Sequence, residues 1–220
     1  LHPRVRRQRQ MCIRDRPMLG WVLDAAKDFG FDETAVVTGF GAELTGGYVS
    51  SRGEAVTLCH QAQQKGTGDA VKSAEDVISR CDAVCVLNGD APFIDADTLR
   101  ASLELHTSSN SEVTVITADI DDPQGYGRII RSSGEFTAIR EQKDCSPAEA
   151  EICEVNSGAY WFSAKALLQT LPKLSTNNAA GEYYLTDCVE MMSRRQAYKS
   201  ANPDICLLYT SPSPRDSTSS

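Results

Sequence analysis

The sequence has no C-x-x-C pair among its eight cysteines and only three histidines, with neither His60 nor His106 close to a cysteine pair. That argues against a zinc site built on paired cysteines. No apolar run approaches the roughly 20 residues a bilayer-spanning helix needs. There is no Walker lysine motif, no G-x-S-x-G nucleophile turn, no histidine in a recognisable catalytic setting and no internal repeat. Net positive charge is also lacking: the chain carries 22 basic and 30 acidic residues, a formal charge of −8. Such a surface disfavours nonspecific nucleic-acid binding, so a phosphate ligand must be held by local N–H groups, a metal or a few placed cations.

The two ends differ from the rest. The first sixteen residues contain six arginines, one acid and no apolar periodicity, and the last fifteen are rich in Ser, Thr and Pro. Composition alone makes both disordered tails. Codons give a sharper reading. A DNA stretch that encodes Met11-Cys12-Ile13-Arg14-Asp15 has a reverse complement that encodes Leu207-Leu208-Tyr209-Thr210 in another frame. Arg6 to Arg16 and Cys206 to Asp216 therefore resemble translated sequencing adapter. Residues 1–16 and 206–220 are set aside as non-native tails, leaving 17–205 as a partial domain.

Those 189 residues fit one domain with a sizeable core. Without the tails the count is 15 basic against 28 acidic, a net charge of about −13. The six remaining cysteines (Cys59, Cys81, Cys85, Cys145, Cys153 and Cys188) read as buried or semi-buried free thiols of a reducing cytosol.

Strand-like and helix-like segments alternate. Met18 to Phe29 has helical apolar spacing, Thr34 to Thr38 and Ala55 to His60 read as strands, and Asp69 to Ile78 as an amphipathic helix. Ala83 to Leu87 is a near-continuous apolar run that suits a strand buried on both faces. Leu99 to Leu105 is helical and Glu112 to Ile120 is β-rich. This alternation predicts a mostly parallel mixed sheet with helices on both faces. The second half turns to strands at Gly127 to Arg131, Phe136 to Glu141 and Val155 to Phe162, with helices at Ala164 to Leu171 and Leu185 to Gln196. It reads as a sheet extension that makes a second lobe.

The chemistry-bearing segments fall between these elements. In Leu87-Asn88-Gly89-Asp90-Ala91-Pro92 a buried strand ends, a glycine allows a tight turn, and an acid emerges at the carboxyl edge, where open α/β sheets bind ligands. One carboxylate there suits Mg²⁺, which draws its other ligands from water and substrate phosphates; the plainer reading is an Asp that caps a turn. Gln61 to Ala70 follows a strand and opens a helix. Gly66 and Gly68 permit close approach, and Gln61 offers donor and acceptor to a base edge; the plainer reading is a Gly-rich cap. Gly39-Phe40-Gly41 lacks the third glycine of a dinucleotide fingerprint, with Leu44 in its place. Arg128, after Gly125-Tyr126-Gly127, offers itself to a phosphate or an acid. Taken singly, the polar residues of Glu141 to Asp144, Glu154 to Gly158 and Gly181 to Asp187 are turn residues as readily as sugar ligands.

Taken in order, Gln-x4-Gly-Thr-Gly, Asn-Gly-Asp-x-Pro, Gly-Tyr-Gly-Arg, Glu-x-Lys-Asp, Asn-Ser-Gly and Gly-Glu-Tyr-Tyr-Leu-Thr-Asp resemble the uridylyltransferase half of bacterial N-acetylglucosamine-1-phosphate uridylyltransferase. In that family this half is fused to a glucosamine-1-phosphate acetyltransferase. The resemblance covers essentially all of Pro17 to Ile205. It implies a Rossmann-like nucleotide-diphospho-sugar transferase fold in a cytoplasmic enzyme of cell-wall and lipopolysaccharide precursor synthesis. The implied substrates are UTP and N-acetylglucosamine 1-phosphate, the product UDP-N-acetylglucosamine. It also implies that Gln61, Gly66 and Thr67 contact the uracil nucleotide, Asn88 and Gly89 line it, and Asp90 binds Mg²⁺. Gly127, Glu141 and Asn156 would hold the sugar, with Thr186 and Tyr184 as weaker candidates.

Three departures accompany the resemblance. Asp69 stands where the family usually has His, and Asn88 where it often has Tyr. The family's first strand and its glycine-rich triphosphate loop, with Arg and Lys, are missing. The chain also stops before a second metal ligand and the acetyltransferase domain that assembles the family's trimer. The expectation is an inactive fragment with uncovered strand edges and apolar faces. The rival readings are a nucleotidyltransferase for another sugar phosphate and a non-catalytic nucleotide-sugar-binding domain.

Overall fold

The computed structural model describes residues 12–13, 16–91, 94–199 and 207–210. Pro92, most of the arginine run and most of the C-terminal tail lie outside them.

The chain opens with two short strands, β1 (Cys12–Ile13) and β2 (Arg16–Pro17), paired antiparallel. Helix α1 (Met18–Phe29) follows and ends where Gly30 adopts a left-handed conformation with its N–H on the Ala26 carbonyl. Its Val22, Leu23, Ala25 and Ala26 are buried, the face that the apolar spacing predicts. Strand β3 (Ala35–Thr38), helix α2 (Ala42–Ser51) and strand β4 (Thr57–His60) form a unit in which β3 and β4 run parallel, Ala35 opposite Thr57. The single amphipathic helix expected over 69–78 is two, α3 (Thr67–Lys72) and α4 (Glu75–Ile78). The break falls at Ser73-Ala74: the Ser73 hydroxyl donates to the Asp69 carbonyl, and Ala74 leaves helical geometry at φ −104°.

Strand β5 (Ala83–Leu87) leads through α5 (Ala96–Ser108) to β6 (Val113–Asp119). Asp95 caps α5, its side chain accepting from the Thr98 N–H at 2.8 Å. Then come β7 (Arg128–Ser132), β8 (Glu135–Arg140), α6 (Pro147–Ala150), β9 (Glu154–Ser163), α7 (Ala164–Thr170), α8 (Leu185–Lys199) and β10 (Leu207–Thr210). The main sheet runs β10-β6-β9-β7-β8, with β5 also on β9. It is mixed, as expected, yet β9 stands antiparallel between β5 and β6, so those two strands never meet. Leu207–Thr210, expected in a tail, pairs parallel with β6.

Two consequences position the site. The core under β6, β9, α7 and α8 is continuous: Val113, Val115, Phe162, Leu167, Val189 and Met192 are all fully buried. The other half has a gap. Among the described residues β3 pairs only with β4, and β5 only with β9. Between them lies an apolar cavity of about 360 Å³, lined by α1 (Leu19, Leu23), β3 (Val36), α4 (Ile78) and β5 (Val84, Val86), among others. Among the described residues, β3 and β5 therefore each face this apolar space with an edge that pairs with no other strand.

Candidate functional site

The nucleotide-side candidates follow β4 (Gln61, Gly66, Thr67) and β5 (Asn88, Gly89, Asp90). Gln61 continues the β3–β4 ladder, its N–H donating to the Thr38 carbonyl at 2.8 Å, and its side chain is 7% exposed. Its Nε2 donates to the Gly66 carbonyl at 3.1 Å and to Asp69 Oδ2 at 2.8 Å. Gly66 has φ +114° and precedes α3; a Cβ there would sit 2.5 Å from the Tyr183 carbonyl oxygen. The close approach this glycine allows is thus taken up by the chain's own backbone. Tyr183 N–H donates to the Lys65 carbonyl at 2.7 Å, and Gly68 N–H to the Tyr183 carbonyl at 2.8 Å. Thr67 joins the same seam, its Oγ1 accepting from the Leu185 N–H at 3.0 Å.

Asn88, Gly89 and Asp90 follow β5 in a turn closed by Ala91 N–H on the Asn88 carbonyl at 3.0 Å. All three are exposed. Asp90 receives no hydrogen bond or ion pair from a described residue, and the next two positions of the turn it could cap, Pro92 and Phe93, lie outside the described residues. The described residues contain no group of three or more His, Cys, Asp or Glu able to hold a metal. What fits Asp90 is a hard cation that takes one protein carboxylate and completes its shell with phosphate oxygens and water.

The sugar-side candidates converge across β7, β8 and β9. Gly127 carbonyl accepts the Asn156 N–H at 2.8 Å. Glu141 Oε2 lies within 3.5 Å of a Cβ built on Gly127, and Glu141 Oε1 accepts from Thr186 Oγ1 at 3.0 Å. Burial pushes the Glu141 carboxyl above its usual range, and the charge of Asp144 adds to this, against the Thr186 bond. Asn156 spends both ends of its amide, Nδ2 on Tyr160 Oη at 2.5 Å and Oδ1 on the Gly158 N–H at 3.1 Å.

The Asn-Ser-Gly segment turns out to be a β-bulge. The β6–β9 register jumps from Ile116–Ala159 to Thr117–Asn156, leaving Ser157 and Gly158 over. Ser157 Oγ donates to the Ile116 carbonyl at 2.6 Å. Gly158 takes φ +77°, and a side chain there would run into that of Asn88; its carbonyl also accepts the Asn88 N–H at 3.0 Å. A bulge therefore joins the two sets of candidates. A second tie runs through the start of α8, where Leu185 meets Thr67 and Thr186 meets Glu141.

Two sequence readings change. Arg128 is 2% exposed and donates to the Tyr126 and Ala150 carbonyls and to Gln142 Oε1, which also accepts the Gly125 N–H. It braces the Gly-Tyr-Gly loop and has no phosphate or acid to serve. Asp144, at the end of Glu-x-Lys-Asp, accepts the Ala179 N–H at 2.9 Å and anchors the turn before α8. Tyr160 and Gln142 were not singled out; the only hint was Tyr160 four residues beyond Asn156. Five of the six cysteines within residues 17–205 are buried or half-buried as expected, with Cys153 exposed. Burial raises the Cys188 thiol to about 12 and moves Cys59, Cys81, Cys85 and Cys145 the same way, so none of these five is a ready nucleophile. His106 is a core residue, its Nδ1 2.9 Å from Thr114 Oγ1.

The chain is 44% identical over 182 residues to the bifunctional protein GlmU of Fervidobacterium nodosum, covering 83% of this chain and 39% of that protein. It is 42% identical over 178 residues to the bifunctional protein GlmU of Caldanaerobacter subterraneus subsp. tengcongensis, covering 80% and 38%. The chain thus spans well under half the length of these relatives. The structure of UDP-glucose pyrophosphorylase complexed with UDP-glucose superposes with a TM-score of 0.66 at 17% identity, over 84% of this chain and 78% of that one, a likeness of fold. The family model described as MobA-like NTP transferase domain matches residues 8–183, and the chain belongs to that family.

Proposed function

We propose that this chain is the uridylyltransferase part of a bifunctional enzyme that makes UDP-N-acetylglucosamine and pyrophosphate from UTP and N-acetylglucosamine 1-phosphate. The observation that carries this reading is the bulge at Ser157-Gly158. It seats Asn88, beside Asp90, against the strand that presents Asn156, so nucleotide and sugar candidates share one cleft edge. Relatives named bifunctional protein GlmU support the assignment.

In this reading Gln61, Gly66 and Thr67 hold the uracil nucleotide, Asn88 and Gly89 line it, and Gly127, Glu141 and Asn156 hold the sugar. The nucleophile is a phosphate oxygen already ionised near neutral pH, so no general base is needed, and no histidine is asked to supply one. The residues' task is to hold that oxygen in line with the α-phosphate. Asp90 would hold Mg²⁺, which neutralises charge on the transferring phosphate and the leaving pyrophosphate when bound. The described residues contain no helix long and apolar enough to cross a membrane.

Titration calorimetry of the full chain with UDP-N-acetylglucosamine and UDP-glucose tests the sugar side. Tighter binding of the N-acetylated sugar, lost in Glu141→Ala, is expected; equal binding points to another sugar phosphate. In an enzyme carrying this domain, Asp90→Ala is expected to lower turnover by about a thousandfold or more, as loss of a charge-stabilising group does. Near-normal turnover at saturating Mg²⁺ removes the metal role.

A further inference from the structure

Gln61 combines burial with a fixed amide orientation. Its side chain is 7% exposed, and its Nε2 faces two groups that only accept, the Gly66 carbonyl and the Asp69 carboxylate. An amide nitrogen has two N–H donors. Both are used here, at 3.1 Å and 2.8 Å. The reverse orientation would set Oε1 against a carboxylate and a carbonyl, oxygen against oxygen, so chemistry alone decides which end is which. What remains is Oε1, to which no described residue donates and which is not fully buried. The Gln61 side chain therefore presents one acceptor and no donor.

We propose that Asp69 is a specificity-determining positioning residue: by holding the Gln61 amide nitrogen it fixes Oε1 outward, and the site selects a pyrimidine whose ring N3 carries a hydrogen. The proposal rests on the nucleotide reading of this edge and deepens it. Uracil and thymine present N3–H, a donor that matches Oε1. Cytosine in the same seat presents the N3 lone pair, so two acceptors face each other. A site built around a hydrogen bond to a ring N–H rejects the analogue that lacks it more strongly than it rejects a change of shape. Asp69 is suited to the task because an ionised carboxylate never donates, whereas a side chain that both donates and accepts would let the amide turn over.

The experiment uses the full chain with UMP and CMP, which share ring size and phosphate and differ at the N3 edge. The wild type is expected to prefer UMP, and Asp69→Ala to reduce the UMP-to-CMP affinity ratio about tenfold, as loss of a charged hydrogen bond predicts. If Asp69 acts through Gln61, adding Asp69→Ala to Gln61→Ala leaves the ratio where Gln61→Ala alone puts it. A folded Asp69→Ala chain whose ratio stays within twofold of wild type overturns the proposal, as does a further fall in the double variant. Should the variant not fold, proton exchange at the wild-type Gln61 side-chain amide decides. Exchange about tenfold slower than at the exposed Gln63 supports the lock, and equal exchange rejects it. Failure of the wild type to bind either nucleotide tells against the nucleotide reading instead, and leaves the amide measurement standing.

Discussion

The two halves of the molecule are built from similar elements and finished to different degrees. On the sugar side, β9 has partners along both edges, and α7 and α8 pack their buried apolar residues against it. On the nucleotide side, β3 and β5 each keep an edge unpaired among the described residues, over the 360 Å³ cavity. Residues at the end of a strand are only as fixed as the strands beneath them. Gln61 and Asn88 must therefore be steadied by other means. The means are cross-links to the finished half: Thr67 to Leu185, Gly68 to Tyr183, and Asn88 to the bulge at Gly158.

The largest expected effect that sets the halves apart comes from equal truncations. Leu167 is fully buried in the continuous core, and Leu23 is 4% exposed but lines the cavity. Leu167→Ala opens a new hole and is expected to cost toward the upper end of about 2–5 kcal/mol. Leu23→Ala widens a space whose far wall already lacks contacts, and falls toward the lower end of that range. Urea unfolding of both variants measures the difference. Equal losses would mean the nucleotide half packs as tightly as the other.

The same contrast explains what the sequence disclosed. Met18 to Phe29 was legible because its apolar residues repeat at helical spacing, and Ala83 to Leu87 because an unbroken apolar pentad suits a strand covered on both faces. Helix α2 was not, because Gly46-Gly47 and Ser50-Ser51 hide a helix with little apolar face. Candidate residues were found as turn chemistry next to strands. What they do with each other was out of reach, because it depends on contacts far apart in the chain. Thr186 finds Glu141, Leu185 finds Thr67, and the Tyr183 backbone occupies the space at Gly66. Arg128 was misjudged for a related reason: a cation beside glycines suggests a ligand until its carbonyl partners are visible.

A smaller effect, one of pH, sharpens the comparison further. On the nucleotide side, burial raises the Asp24 carboxyl but hydrogen bonds from Arg52 and Arg16 outweigh it, and Arg80 lowers Glu33. Those folded carboxyls release their protons more readily than in the unfolded chain. Their contribution is present above the unfolded value and lost as pH falls through the folded one. On the sugar side, burial raises both Glu141 and Asp187. There the folded state holds protons more tightly, so the contribution is present below the unfolded value and lost as pH rises through the folded one. Acid should thus remove the contributions of Asp24 and Glu33 while those of Glu141 and Asp187 persist. Glu141→Gln isolates one group, because the amide keeps an oxygen for Thr186 and cannot ionise. The melting temperature of the wild type relative to this variant is expected to fall from about pH 4 to about pH 8. A constant difference would mean that Glu141 sheds its proton as easily in the fold as outside it.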